Sequence, residues 1–203
     1  MVRINAASSA TTGDAWMVNE QEQELISRIR TGDLAAFERV YHEFAPALMT
    51  FAYSQVRYRA IAEELVQELF LNLWKYRQKW VLTRSLAAYL YGALRNHIYS
   101  YRRTMAGRDE LSRTSASDEA GLAVLPSSSR TDDMVRESEL QQAIDRAVKS
   151  LSPRCQETYV LVHEQHLSYA QAAEVMGVSI KAIEMNIVRA FAALRRDLAG
   201  WRD

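Results

Sequence analysis

The sequence has few residues that favour turns or form cross-links: 7 glycines, 3 prolines and a single cysteine, Cys155, in 203 residues. Short strands need frequent turns, so this composition argues against an all-β fold. One cysteine excludes an internal disulfide framework and a multi-cysteine metal centre. Neither sign of charge is in excess, because 25 basic and 25 acidic side chains cancel. A binding partner must therefore be sought in local charge.

Long apolar runs are also missing. The longest nearly apolar run, residues 86–94, has nine residues, whereas a helix that crosses a membrane needs about 20. The first 19 residues lack the apolar core of a secretory signal and are predicted to be a disordered tail. We therefore expect a cytoplasmic protein that does not insert into a membrane.

Aromatic residues divide the chain into two parts. Of the 19 Phe, Trp and Tyr residues, 14 lie between Phe37 and Tyr101, and none lies between Arg102 and Thr158. Within this gap, residues 104–133 hold six serines and three threonines among few apolar residues. Such a stretch buries too little surface to offset the entropy of ordering it. The sequence therefore predicts a flexible linker at residues 104–136 between two domains, residues 20–103 and 137–203.

Helical signals fill the first domain. Asp33 is the predicted N-cap of one helix, and Pro46 is predicted near the start of the next. A third helix is predicted by apolar residues at four-residue steps: Ile61, Leu65, Leu69 and Leu73. A fourth helix is predicted from about Ser85 to about Arg103, with one buried face.

The second domain has clear helix boundaries. Ser152–Pro153 combines an N-cap with proline at the first helical position, and Ser168 with Gln171 fits a capping box. Gly177 is predicted to end that helix and Ser179 to cap the next one. A helix, a short turn containing glycine and a second helix form the helix-turn-helix pattern of DNA-binding proteins. An ordinary helical hairpin is the alternative. The whole chain is predicted to be all-α.

Positive charge is concentrated in two predicted helices. Residues 84–113 have a net charge of +4, and residues 181–196 have a net charge of +3. The first of these stretches alternates arginines with tyrosines, an arrangement that suits unstacked single-stranded bases. A solvated basic face with tyrosines in the core is the alternative for that helix. Both helices are candidates for contact with phosphates.

Chemistry-bearing residues do not form a catalytic or metal-binding pattern. Cys155, Glu157, His163 and His166 lie within twelve residues, but the two histidines lack the four-residue spacing of a helical zinc site. No glycine-framed nucleophile or phosphate-binding loop is present in the sequence. We therefore predict no enzymatic activity, no metal and no cofactor.

Four segments, taken together, resemble the extracytoplasmic-function group of bacterial sigma-70 factors. They are residues 25–41, residues 62–74 (AEELVQELFLNLW), residues 89–103 and the helix-turn-helix at residues 167–194. The resemblance implies a non-catalytic subunit of two small helical domains that directs core RNA polymerase to the −10 and −35 promoter elements. The alternative is a stand-alone helix-turn-helix regulator whose first domain is a sensor or dimerisation domain. Such a domain has no need of the acidic and aromatic helix at residues 62–74.

The resemblance also implies roles for individual residues. Those implied to bind core polymerase are Glu64, Gln67, Glu68, Phe70, Asn72 and Trp74. Those implied to melt and capture the −10 strand are Tyr89, Arg95, Asn96, Tyr99, Arg102 and Arg103, and a flipped base would be read near residues 80–84. Those implied to contact the −35 duplex are Ser179, Lys181, Glu184, Met185, Val188 and Arg189, while Ile180, Ile183 and Ile187 pack inward. Factors of this group are commonly held inactive by an anti-sigma factor, for which both domains would supply the surface.

Overall fold

A computed structural model describes residues 20–111 and 132–199, with side chains at residues 20–105, 139–140 and 142–199. The predicted tail at residues 1–19 and most of the predicted linker lie outside the described residues. The described parts contain helices and no strand, so the predicted all-α class is confirmed. Within them, no helix is both long and apolar enough to cross a bilayer.

The first domain is built from α1 (Glu20–Arg30), α2 (Leu34–Val56), α3 (Arg59–Lys75) and α4 (Leu86–Leu111), with a 3-10 turn at Arg77–Lys79. Asp33 caps α2 as predicted, because its carboxylate accepts a hydrogen bond from the Ala36 N–H at 3.1 Å. The long helix α2 packs against both α3 and α4. These helices bury a core that includes Phe51 and Leu90.

The prediction for Pro46 is wrong. Pro46 lies inside the single 23-residue helix α2 rather than near the start of a second helix. Proline has no N–H to donate within a helix and clashes with the preceding turn, so local rules place a break there. In this fold α2 buries Ala45, Leu48 and Phe51 on its inner side, and this packing maintains one continuous helix across the proline.

Both described ends of the predicted linker are helical. The helix α4 continues past Arg103 to Leu111, and α5 (Asp132–Ser150) begins before residue 137. Residues 104–111 contain Met, Ala, Arg, Glu and Leu, which are good helix formers. Because propagating a helix is much easier than nucleating one, such residues extend a helix that packing has already established.

The second domain continues with α6 (Pro153–Tyr159), a π-helical turn at Val160–Glu164, α7 (Tyr169–Met176) and α8 (Ile180–Asp197). The predicted capping box is present: the Ser168 hydroxyl accepts from the Gln171 N–H at 3.2 Å, and the Gln171 side chain accepts from the Ser168 N–H at 2.9 Å. Gly177 ends α7 in the left-handed region at φ 66°, where glycine has no Cβ penalty. Ser179 caps α8 through the Ala182 N–H. The predicted helix-turn-helix is therefore formed by α7 and α8.

The two domains share one hydrophobic cluster. It contains Phe51 and Leu90 of the first domain together with Leu161, Ala172 and Ile183 of the second. The helix α4 packs directly against α7. A smaller cluster, centred on Leu151, Cys155 and Leu194, joins α5, α6 and α8.

Candidate functional site

An open apolar groove, here called the α2–α3 groove, lies between the start of α2 and the outer side of α3. Its volume is about 360 Å³, and it is lined by Leu34, Phe37, Tyr41, Gln67, Phe70, Leu71 and Trp74. Leu71 exposes 70% of its surface and Leu34 exposes 55%. Exposed apolar side chains gathered in one groove are typical of a protein contact surface.

The residues predicted to bind core polymerase do not all face this groove. Gln67, Phe70 and Trp74 line it, although Phe70 is buried beneath the Tyr41 ring, with 4.8 Å between ring centroids. Glu64 is exposed on the same helix. The other two predicted residues, Glu68 and Asn72, lie on the side of α3 that faces α4. The Glu68 carboxylate is 3.7 Å from Nδ1 of His97, and Asn72 and His97 line one small cavity.

Sequence reasoning missed four groove residues: Leu34, Phe37, Tyr41 and Leu71. The buried residues of α3 form two rows at four-residue steps, and Leu71 lies outside both of them. One row is Leu65, Leu69 and Leu73, and the other is Ala62, Val66 and Phe70. An apolar residue that falls off the buried rows of an amphipathic helix is a signal of an exposed contact, and it was available in the sequence. The contribution of α2 had no such signal, since only the packing of α2 on α3 brings it to the groove.

The predicted −10 residues of α4 point in several directions. Asn96 and Arg103 are exposed to solvent. Arg102 is also exposed, and its guanidinium donates a hydrogen bond to the backbone carbonyl of Gln55 near the end of α2. Together with Tyr99, which is 44% exposed, these three side chains form the part of the predicted strand-binding face that is open in this structure.

Tyr89 turns inward instead. Its ring lies 5.4 Å from that of Trp80, centroid to centroid, and burial raises its pKa. Both rings line a cavity of about 200 Å³ that also contains Asn72 and His97. The buried indole N–H of Trp80 has no acceptor among the described residues. This cavity adjoins residues 80–84, where a flipped base was expected.

Arg95 and Tyr99 face the second domain. Nε of Arg95 donates to Oε1 of Glu157 at 2.7 Å, and the Tyr99 hydroxyl donates to Oε2 of the same carboxylate at 3.3 Å. The guanidinium also lies over the Tyr99 ring, 4.5 Å from its centroid. Glu157 is only 4% exposed. No local pattern predicted this pairing, because 62 residues separate Arg95 from Glu157.

The recognition helix α8 presents its predicted face to solvent. Ser179 caps the helix, and the side chains exposed along it are Lys181, Glu184, Met185, Val188 and Arg189. Ile183 and Ile187 are buried as predicted. The prediction for Ile180 is wrong: it is 49% exposed, because it lies in the first turn, beside an open depression that Gly177 and Arg84 also line.

The residues weighed as zinc ligands have structural surroundings. Cys155 is buried in the smaller cluster. His163 stacks on Tyr159, with 5.0 Å between ring centroids, and meets the Phe191 ring edge-on at 4.8 Å. Burial lowers the pKa of His163, and the neighbouring His166 adds to this effect. Within the described residues, no cluster of three potential ligands is suited to a metal ion.

Comparison with known proteins places these surfaces in a family. Residues 40–108 match the Sigma-70 region 2 family and residues 141–194 match the Sigma-70, region 4 family. The ECF RNA polymerase sigma factor BldN of Streptomyces coelicolor is 30% identical over 178 residues, which cover 86% of this chain and 66% of BldN. The chain belongs to the extracytoplasmic-function group of the sigma-70 family. The first domain of this sigma factor is thus itself a sigma region, which argues against a sensor or dimerisation domain.

Solved structures resemble the fold of this sigma factor. The sigma factor RpoE of Bartonella quintana, in complex with the anti-sigma factor NepR, is 26% identical with a TM-score of 0.63, covering 80% of this chain and 96% of that one. CnrH, in complex with the cytosolic domain of CnrY, is 23% identical with a TM-score of 0.62, covering 88% of this chain and 97% of that one. At that identity, the likeness to CnrH supports the fold alone.

Proposed function

We propose that this sigma factor is a dissociable, non-catalytic subunit that directs core RNA polymerase to promoters in the cytoplasm. Its first domain, residues 20–103, binds core polymerase and opens the −10 element. Its second domain, residues 137–203, reads the −35 element. The observation that carries the proposal is the pairing of two different surfaces on one chain: an apolar groove beside the acidic helix α3, and an exposed recognition helix α8.

The α2–α3 groove is the proposed contact for core polymerase. Its exposed leucines supply the apolar centre of an interface, and Glu64 on the same helix supplies negative charge beside it, while Glu68 adds negative charge on the side of α3 that faces α4. Charge complementarity of this kind sets the specificity and the rate of association more than the affinity. A basic partner surface with an apolar centre therefore fits this side of the domain.

The two DNA contacts use different chemistry. On α8, Lys181 and Arg189 reach duplex DNA from a helix whose capped N-terminus favours phosphate. On α4, Asn96 supplies an amide that pairs with a base edge only after bases unstack. The cavity lined by Trp80 and Tyr89 lies beside residues 80–84, where such an unstacked base would be read.

An anti-sigma factor is a further proposed partner. RpoE of Bartonella quintana, which shares the fold and 26% of the compared residues, is bound to one. Both proposed binding surfaces of this chain include exposed apolar side chains, namely Leu71 in the groove and Val188 on α8. A protein that covers either surface competes with polymerase or with promoter DNA.

Co-purification with core RNA polymerase, followed by run-off transcription from a genomic library, tests the proposed function. The wild-type chain is expected to bind core polymerase and to start transcription at a defined set of promoters. The double variant Glu64→Lys with Gln67→Ala, and separately Glu68→Lys, are expected to bind core polymerase more weakly with unchanged helical content. Glu43→Lys is the matched control, because it reverses an exposed acid of the same domain outside the groove. Equal affinities for all four proteins would contradict the assigned surface.

A further inference from the structure

A guanidinium lies against the indole of Trp74 beside the α2–α3 groove. Trp74 is half-buried in the last turn of α3 and lines the groove. Cζ of Arg77, in the 3-10 turn that follows α3, lies over the indole ring, 4.5 Å from its centroid. Nη1 of the same side chain donates to the backbone carbonyl of Trp74 at 2.9 Å. Arg77 therefore contacts both the ring and the backbone of one groove residue.

The turn between α1 and α2 passes close to the same guanidinium. Gly32 in this turn has φ 95°, and a Cβ placed on it would lie 4.0 Å from both Nε and Nη2 of Arg77. The helix α1 also packs against the 3-10 turn that carries Arg77. The guanidinium thus connects the chain that leads into α2 with the end of α3, and these two helices form the groove.

Trp74 belongs to a row of aromatic contacts along the groove. Its ring lies 5.0 Å from that of Phe37, and Phe37 meets Phe70 edge-on at 6.1 Å, centroid to centroid. Phe70 in turn contacts Tyr41 at 4.8 Å. All four rings line the groove. A change in the orientation of the indole therefore changes the shape of the surface that a partner meets.

The Arg77 side chain is not fully bonded in this position. Its Nε is buried and has no acceptor among the described residues. A buried donor without a partner costs free energy, and methionine, which is flexible and apolar, would fill similar space without that cost. The stability of the fold therefore gives little reason for an arginine here, whereas the contact with the indole does.

We propose that Arg77 is a positioning residue for polymerase binding: its guanidinium fixes the indole of Trp74 and so sets the shape of the α2–α3 groove. This inference rests on the proposed function of the groove. Charge alone predicts the opposite effect of losing Arg77. Because the proposed partner surface is basic, removing a positive charge beside the groove should favour binding or leave it unchanged. A weaker complex would therefore report the loss of positioning.

A double-mutant cycle between Arg77 and Trp74 tests the inference. The full-length protein carries Arg77→Met, Trp74→Leu or both, and biolayer interferometry measures the dissociation constant for immobilised core RNA polymerase. Lys79→Met is the matched control, because it removes an exposed positive charge from the same 3-10 turn. Thermal unfolding followed by circular dichroism measures the stability of each protein.

We expect Arg77→Met to weaken core binding about fivefold, the fold-change to which a partly exposed cation–π contact corresponds. Its melting temperature should stay close to that of wild type, and Lys79→Met should bind no more weakly than wild type. In the Trp74→Leu background, Arg77→Met should weaken binding no further, because a positioning residue has no effect once the residue it positions is absent.

Two results would overturn the inference. One is wild-type affinity in a folded Arg77→Met protein. The other is an equal loss of affinity with and without Trp74, which is expected if Arg77 contacts polymerase directly or only stabilises the fold. If Arg77→Met does not fold, Arg77→Lys replaces it in the cycle, because lysine keeps the charge but lacks the planar group that lies over the indole. The same two results then decide.

The Trp74→Leu protein separates this inference from the proposed function. If it binds core polymerase as tightly as wild type, the groove is not the contact surface, and the positioning role of Arg77 fails with it. If Trp74→Leu binds more weakly while Arg77→Met does not, the proposed contact surface stands and the positioning role alone fails.

Discussion

The two helices assigned to DNA differ in how they are presented. On α8, all six residues assigned to the −35 duplex are exposed. On α4, Asn96, Tyr99, Arg102 and Arg103 are exposed, whereas Arg95 donates to the buried carboxylate of Glu157 and Tyr89 turns toward Trp80. The residues assigned to duplex DNA are thus all exposed, whereas Arg95, assigned to the −10 strand, already donates to a residue of the second domain. In the proposed function, α8 contacts the −35 element as duplex and α4 contacts the −10 strand after the strand is unpaired.

The largest effect is expected on stability, when a buried side chain on the inner face of α8 is shortened. Ile183 is fully buried in the cluster that both domains share, so Ile183→Ala should lower the free energy of unfolding by about 2–5 kcal/mol. Ile180→Ala is the matched control, because Ile180 is half exposed and its loss should change stability by no more than about 0.5 kcal/mol. Urea denaturation followed by circular dichroism measures both. Equal losses would mean that the first turn of α8 packs as the sequence pattern predicted.

On the outer face of α8, Arg189→Ala should weaken binding of holoenzyme to closed duplex promoter by about 1–3 kcal/mol if it contacts a guanine edge. Arg195→Ala serves as the control, because it removes the same exposed charge from the last turn of the helix. Fluorescence anisotropy with a duplex that spans the −35 element measures the difference. A similar loss for both variants would indicate general attraction to phosphate rather than base recognition.

Asn96→Ala on α4 should impair promoter opening, whereas Arg189→Ala on α8 should impair binding to duplex DNA. Because its partner is exposed only after bases unstack, duplex binding should be unchanged while promoter opening falls. Permanganate reactivity of unpaired thymines measures opening, and Thr104→Ala on the exposed side of the same helix is the control. A promoter that is already melted across the −10 element should restore activity only in part, and a stronger −35 element should not restore it. Loss of duplex affinity with normal opening would reverse the order of contacts given above.

The smallest expected effect is on the pH dependence of stability, through His163, whose ring packs against Phe191 of α8. Burial lowers the pKa of His163 below its ordinary value of 6.5, so the unfolded chain binds more protons than the folded one as pH falls through that value. The contribution of neutral His163 is thus complete above pH 6.5 and is lost progressively below it. Burial raises the pKa of the adjacent Glu164, which gives the opposite slope.

Comparing variants isolates the histidine. His163→Gln should flatten the decline of melting temperature between about pH 7.5 and about pH 5.5. The exposed His42, replaced by glutamine, should leave the decline unchanged. An identical decline in wild type and His163→Gln would show that the ring packed against Phe191 does not set the pH response of this domain.

Features that depend on neighbouring residues were predictable from the sequence. The caps at Asp33, Ser168 and Ser179 and the end of α7 at Gly177 were predicted and are present, because each needs only a side chain and the backbone within a few residues. Periodicity likewise identified the buried rows of α3. These local rules give the all-α class and the helix-turn-helix.

Features that depend on distant packing were not predictable. Local rules break α2 at Pro46, but burial of the helix on both sides of the proline overrides them. The family resemblance identifies Arg95 as a candidate to bind DNA, but it does not indicate that the Arg95 guanidinium donates to Glu157. Ile180 continues the spacing of Ile183 and Ile187, yet spacing alone does not reveal that nothing covers the first turn. In each case the deciding partner lies far away in the sequence.

The bond between Gln171 and Ser85 has a kinetic consequence. The side-chain oxygen of Gln171 accepts from the Ser168 N–H and so completes the cap of α7, while its nitrogen donates to the Ser85 hydroxyl. The same hydroxyl accepts from the Ala88 N–H and so caps the start of α4. Of these bonds, only the one from Gln171 to Ser85 joins the two domains, because each cap is completed by atoms of its own domain. A rigid-body separation of the domains would therefore leave both helix caps intact. Motions of that kind take microseconds to milliseconds, whereas fraying of a helix end would add a step of local unfolding.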